Sequence, residues 1–194
     1  MISFYVVLGL LCLYSYFLYP IILGLLPERR NLTVAPRVPG SLPLLSLIVT
    51  AHNEEARIQN KLKNTQAIDY PKDLLAVIVA SACSSDETDA IVASFAKQGV
   101  RLVRTDVRKG KEYAQLCAIR EARGDILVFS DVATCIEPEA LQCLAEWFVD
   151  EEVGAISSED RFVSQSGRVV GEGAYVKYEM WLRRLESGRA GLVG

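Results

Sequence analysis

The sequence predicts an α/β fold: a mainly parallel sheet with flanking helices, preceded by one membrane-spanning helix. Three observations predict it. Short apolar runs recur at a spacing of roughly 25–30 residues, each followed by a helix-like segment, which is the pattern of right-handed βαβ units. Three of the runs end in polar residues, as strands do at the ligand-binding edge of an open sheet. The start of the chain is a separate apolar run, with no charge between residues 2 and 27.

That first run, Ile2 to Leu26, is interrupted mainly by tyrosines. Spanning a bilayer takes roughly 20 apolar residues, so residues 1–26 are long enough to be a transmembrane anchor. A secretory signal would show a basic start and a small-residue cleavage site, and neither is present. Arg29, Arg30 and Arg37 follow the run and no Lys or Arg precedes it. The positive-inside rule therefore puts the rest of the chain in the cytoplasm. Residues 27–43 read as a linker, because Pro27, Pro36, Pro39, Gly40 and Pro43 prevent a long helix or a central strand. One domain, residues 44–194, takes the remainder.

Within it, Leu44–Thr50 reads as a strand buried on both faces. Asn53 is the expected N-cap of a helix, with Glu54 and Glu55 in its first turn and Ile58 and Leu62 on its inner face. Leu74–Ala80 is a second buried strand, followed by a helix from the Ser84-Ser85-Asp86 caps to about Gln98, stopped by Gly99. Val100–Arg104 reads as a more exposed strand. The next helix, Gly110–Arg123, packs through Ala114, Cys117, Ala118 and Ala122. Strand Asp125–Asp131 comes next, and Glu137-Pro138 opens a helix lined by Leu141, Leu144, Ala145 and Phe148. Val153–Ser157 is expected to be another short strand and Arg161–Val170 a hairpin. Glu172–Ser187 is expected to be an aromatic, amphipathic packing helix, with a bilayer-surface helix as the alternative.

Composition removes several function classes. A net charge of −3 with dispersed basic residues does not suggest a nucleic-acid partner. Five cysteines without a C-x-x-C give no zinc spacing and suit a reducing cytosol. Cys83 reads as a small packing residue. His52 is the single histidine, and no G-x-S-x-G elbow accompanies it. The G-x-G-x-x-G and P-loop fingerprints are absent, which disfavours a dinucleotide oxidoreductase. What remains is a set of polar strand ends, Thr50–Glu54, Ser81–Asp86 and Ser130–Thr134, that a parallel sheet would bring to one edge. Asp131, an acid closing a buried strand, is the leading candidate among them.

Taken in order, T-A-H-N-E-E, S-A-C-S-S-D-E-T, R-K-G-K and F-S-D-V-A-T-C-I-E-P-E-A-L resemble family 2 glycosyltransferases over about residues 44–187. The amino-terminal anchor is similar to that of the membrane-bound branch, the bacterial exopolysaccharide synthases. The resemblance implies a GT-A (Rossmann-like) fold and sugar transfer from a nucleotide-diphosphate donor to a glycan or lipid-linked acceptor. It also implies Mg²⁺ or Mn²⁺, and a bacterial inner-membrane protein whose domain faces the cytoplasm. Carried over residue by residue, Ala51, His52, Asn53 and Glu54 would cradle the nucleoside. Gly110 and Lys111 would form a basic turn near the nucleotide, and Asp131 would be the first acid of the D-x-D metal motif. A carboxylate-held hard cation suits a diphosphate leaving group. An inverting transfer also needs a general base. In this family that base is an Asp expected beyond Gly194; Glu159-Asp160 comes too early and reads as structural.

Two departures stand out. The acid usual in the second loop is Ala82, a position that would touch the base, and the second acid of D-x-D is Ala133. They motivate a rival: a non-catalytic, membrane-tethered nucleotide-binding or scaffold protein that keeps the fold.

Overall fold

The run Leu45–Ala51 forms β1, the central strand, and is buried almost throughout. Glu55–Gln66 forms α3, Leu75–Ser81 β2 and Thr88–Ser94 α4. A short 3₁₀ turn at Ala96–Gln98 and left-handed Gly99 (φ 87°) lead into β3, Val100–Arg104. Lys111–Glu121 is α5, Ile126–Asp131 β4 and Ala140–Trp147 α6. Ahead of them lie α1 (Ile2–Leu13), a π-helical stretch at Tyr14–Leu18, and α2 (Tyr19–Leu25). Ala174–Ala190 forms α7. The computed structural model describes residues 2–28, 42–151, 153–158 and 173–190. The hairpin expected at 161–170, the Glu159-Asp160 pair and most of the expected linker lie outside them.

All strand pairs are parallel and the order is β3-β2-β1-β4. The chain steps outward from β1 to β2 to β3, then returns to place β4 on the other side of β1. That reversal between β1 and β4 is the topological switch point, where open α/β sheets leave a crevice at the carboxyl ends of their strands.

Alternation along the strands builds two cores. Leu45, Leu47, Val49 and Ala51 face a large core with Ile58 and Leu62 of α3, Val92 of α4, and Leu141 and Ala145 of α6. Ile48, Ile78 and Ala80 face a smaller core closed by Ala114 and Ala118 of α5. Each large aliphatic side chain fully buried there contributes about 1.5–3 kcal/mol. Alanines at the α5 contact let that helix lie close to the sheet. The carboxylate of Asp125 accepts the Leu44 N–H at 3.2 Å, joining the entries to β4 and β1.

Several expectations are corrected. The helix cap is Glu54, and Asn53 adopts φ 53° instead; asparagine tolerates this left-handed conformation better than most residues. The helix expected at residues 110–123 is shorter, spanning Lys111–Glu121. Pro138 stands two residues ahead of α6, near its first turn as expected. No strand forms at Val153–Ser157, which is irregular. Its apolar character satisfies a strand pattern, but a strand also needs a neighbour for its N–H and C=O groups.

The chain forms two compact units: residues 35–150, which hold the sheet, and residues 1–34 with 151–194. In the second unit, Phe4–Leu25 is long and apolar enough to cross a membrane, with mean hydropathy 2.2. It is not one uninterrupted α-helix. Pro20 brings no N–H to the carbonyl four residues back, that of Tyr16. The Tyr178 hydroxyl of α7 donates to that carbonyl at 3.0 Å, and the two tyrosine rings lie 6.1 Å apart. The Tyr19 hydroxyl donates to Glu186 at 2.8 Å, and Arg189 donates to the Leu26 carbonyl at 3.1 Å. α7 thus packs against the apolar helix through these contacts.

Candidate functional site

Thr50 of β1 and Asp131 of β4 are paired in register at the switch point. By strand alternation both point to the α5 side of the sheet. The Asp131 carboxylate is 58% exposed, and its Oδ1 accepts from Lys111 Nζ at 2.6 Å. Lys111 is the first residue of α5, and Gly110 turns the chain into that helix with φ 90°. Three predicted site residues, Asp131, Gly110 and Lys111, therefore come together. An exposed pair of this kind adds only about 0–1 kcal/mol to stability. Its interest is chemical: one acid and one exposed cation share the mouth of the crevice.

The neighbouring loops are fastened to each other. Asn53 Oδ1 accepts from the Ser85 N–H at 2.9 Å, and the Asn53 N–H donates to Ser84 Oγ at 3.2 Å. The Glu54 N–H donates to Thr88 Oγ1 at 2.8 Å, and the Glu55 N–H to Asp86 Oδ2 at 3.1 Å. Burial opposes the charge on Asp86. Donation from the Thr88 hydroxyl and from the Glu55 and Thr88 N–H groups outweighs it and holds the carboxyl below its ordinary range. Asn53 thus spends its side chain on loop shape, and the Glu54 carboxylate pairs with Arg57 at 3.2 Å. Ala51 is buried and its carbonyl accepts the Ala82 N–H at 2.9 Å, so the ends of β1 and β2 form one rim. Cys83 sits at φ 54° with its Sγ 3.2 Å from the Thr105 carbonyl.

His52 Nδ1 and Thr50 Oγ1 are buried without a hydrogen-bond partner among the described residues. Unpaired buried polar atoms are costly, and here they lie along the rim that a ligand would cover. Thr50 opens the T-A-H-N-E-E motif, which assigns it no role of its own. Its hydroxyl becomes notable only through the register that sets it beside Asp131.

Lys61 was also missed. It is 2% exposed, and its Nζ donates to Ser130 Oγ at 2.7 Å and to the Thr134 carbonyl at 2.6 Å. The signal was present: Ile58, Lys61, Leu62 and Thr65 are the buried positions of α3, so a lysine occupies a core stripe. Burial lowers its pKa to about 8, against the opposing pull of Cys135 and Asp131. The folded chain therefore holds fewer protons than the unfolded chain between pH 8 and the ordinary lysine range. Stability is expected to rise with pH across that window. Denaturant titrations at pH 7.5 and 9.5 check this, and Lys61→Met should remove the Lys61 contribution.

The model of the glycosyl transferase family 2 matches residues 46–180. The chain belongs to that family. A probable glycosyltransferase of Bacillus subtilis, YdaM, is 32% identical over 142 residues, 70% of this chain and 34% of its own length. A β-monoglucosyldiacylglycerol synthase of Nostoc is 26% identical over 161 residues, 80% of this chain and 34% of its length. The chain therefore spans about a third of the length of these relatives. Among solved structures, the mannosyltransferase PcManGT of Pyrobaculum calidifontis, in complex with GDP-Man and Mn²⁺, matches with TM-score 0.68 and 27% identity. That match covers 90% of this chain and 49% of the other. The sheet described above is the GT-A fold of the family.

Family membership sharpens the metal question. No group of three or more His, Cys, Asp or Glu that could hold a metal occurs among the described residues. Mg²⁺ and its analogues do not need one. They bind through one or two carboxylates and take further oxygens from substrate phosphates and water. An exposed Asp131 at the switch point fits such a half-site. Ala133, also exposed, adds no ligand.

Proposed function

We propose that this glycosyltransferase chain binds a nucleotide-diphosphate sugar and supports sugar transfer to a glycan or lipid-linked acceptor at the cytoplasmic face of a bacterial inner membrane. The observation that carries the reading is Asp131, paired with Lys111 at the β1/β4 switch point. On this reading the nucleoside lies over the rim formed by Ala51, His52, Asn53, Glu54 and Ala82. His52 Nδ1 and Thr50 Oγ1 gain partners when the donor enters. Lys111 exchanges its contact with Asp131 for the diphosphate, where its charge opposes that of the leaving group. Asp131 would hold Mg²⁺ or Mn²⁺, which would supply the rest of that neutralisation. The apolar helix and the arginines that follow it support membrane attachment with the domain inside.

Ala82 favours a second reading, a tethered binding or scaffold protein. It is 6% exposed on the rim and offers a methyl group where the family's motif has an acid. Ala82→Asp separates the two. Measured by calorimetry with UDP and GDP, a donor-using chain should already bind one of them with Ala82 in place and gain less than about 1.4 kcal/mol, or tenfold; no binding in either form means the site works differently or does not bind. A much larger gain would mean the natural rim has drifted from donor use, and would favour the scaffold.

A further inference from the structure

We infer that Lys61 is a positioning residue for Asp131, its buried ammonium fixing the end of β4 and the turn after it so that the Asp131 carboxylate is presented to the donor. The inference deepens the donor-binding reading and rests on it.

The geometry is specific. Ser130 faces α3 and Asp131 faces α5, as neighbours on a strand must. The two bonds from Lys61 end on residues 130 and 134, one on each side of Asp131. Inside that span, the turn is closed by the Thr134 N–H donating to the Asp131 carbonyl at 3.2 Å. Holding Ser130 on one face of the strand therefore sets the direction of the Asp131 side chain on the other. Both acceptors are neutral, so the charge is not held by an ion pair with them. An aliphatic side chain would fill the α3 stripe without the desolvation cost of an ammonium. The charge is explained by what it holds, the end of β4 and the turn after it.

A built-in control lies three residues along. Asn64 exchanges two hydrogen bonds with Ile136, each 2.8 Å, so α3 grips the same loop a second time farther from Asp131. A role confined to loop stability would make Lys61 and Asn64 equivalent.

The experiment compares Lys61→Met, Lys61→Arg, Ser130→Ala and Asn64→Ala in the full chain, purified in detergent. Two quantities are read: the Mn²⁺ concentration giving half-maximal binding of UDP or GDP, and hydrogen exchange of amides 131–134. Lys61→Met should raise the Mn²⁺ requirement about tenfold or more, the usual scale for groups that orient a ligand. It should leave metal-free nucleotide affinity unchanged and lose exchange protection at 131–134. Ser130→Ala should do the same more weakly, and serves if Lys61→Met does not fold. Lys61→Arg should restore part of the effect. Equal shifts in Lys61→Met and Asn64→Ala, or an unchanged Mn²⁺ requirement in a folded Lys61→Met, overturn the inference. If the parent chain shows no Mn²⁺-dependent binding, the donor reading fails instead. Exchange then decides Lys61 alone, and retained protection in Lys61→Met or Ser130→Ala rejects its hold on the turn.

Discussion

Alanine at position 131 is expected to abolish the Mn²⁺-dependent part of nucleotide binding, a loss of at least about 2.7 kcal/mol, or 100-fold. The reason is arithmetic of ligands. With Ala133 beside it, Asp131 is the carboxylate that β4 delivers to the switch point. No acid of the D-x-D kind stands at position 133 to replace it, so on the proposed reading its removal leaves an ion without its carboxylate among the described residues. Folding should barely respond, because the Lys111–Asp131 pair is half exposed on both sides. The variant should therefore melt within a few degrees of the parent while losing metal-dependent binding. Asp131→Asn, which keeps the shape and removes the charge, should behave like the alanine. Calorimetry with UDP and GDP, with and without Mn²⁺, measures both. Unchanged binding in a folded Asp131→Ala would remove the site from consideration.

The second large effect is on the fold. Gly124→Ala is expected to destabilise the chain by about 3–5 kcal/mol, the range reserved for severe steric conflict. A Cβ at Gly124 would lie 2.5 Å from Ser46 N, 2.7 Å from the Leu45 carbonyl carbon and 2.9 Å from Leu44 O. All three are backbone atoms at the entry to the central strand. They cannot turn aside as a flexible side chain can, and moving them would disturb the pairing of β1 with both β2 and β4. The Gly124 N–H also donates to buried Ser46 Oγ at 2.9 Å. A separation forced here would propagate along β1–β4 to the Thr50–Asp131 pair. Thermal unfolding of the variant in detergent tests the effect. A melting temperature equal to that of the parent would mean the close approach is relieved at little cost.

Most of this fold was legible because its signals are local. Buried parallel strands read as short apolar runs, and the three runs that became β1, β2 and β4 did so to within a residue. Asp131 was legible for the same reason, an acid ending a buried strand, and so was the basic turn at Gly110-Lys111. What was not legible depended on partners. Val153–Ser157 has a strand's composition but no ladder. Asn53 looks like a cap, yet its side chain closes the gap to Ser85, thirty-odd residues away, and Glu54 takes the cap position. Thr50 was legible as the start of a polar strand end, but its pairing with Asp131 depends on the β1–β4 register. Lys61 breaks the apolar stripe of α3, and that breach is readable. Its meaning is not, because the acceptors lie on β4 and the turn beyond it.

The most direct test of the central claim is Mn²⁺ electron paramagnetic resonance on the full chain. The signal of free Mn²⁺ is followed as UDP or GDP is added. The chain alone should leave most of the signal in place, since one carboxylate is a weak site. Adding one of the two diphosphates should then quench the signal well beyond what that nucleotide does without protein. A signal unaffected by protein at every nucleotide concentration would contradict the reading of Asp131 and Lys111 as the donor-binding centre.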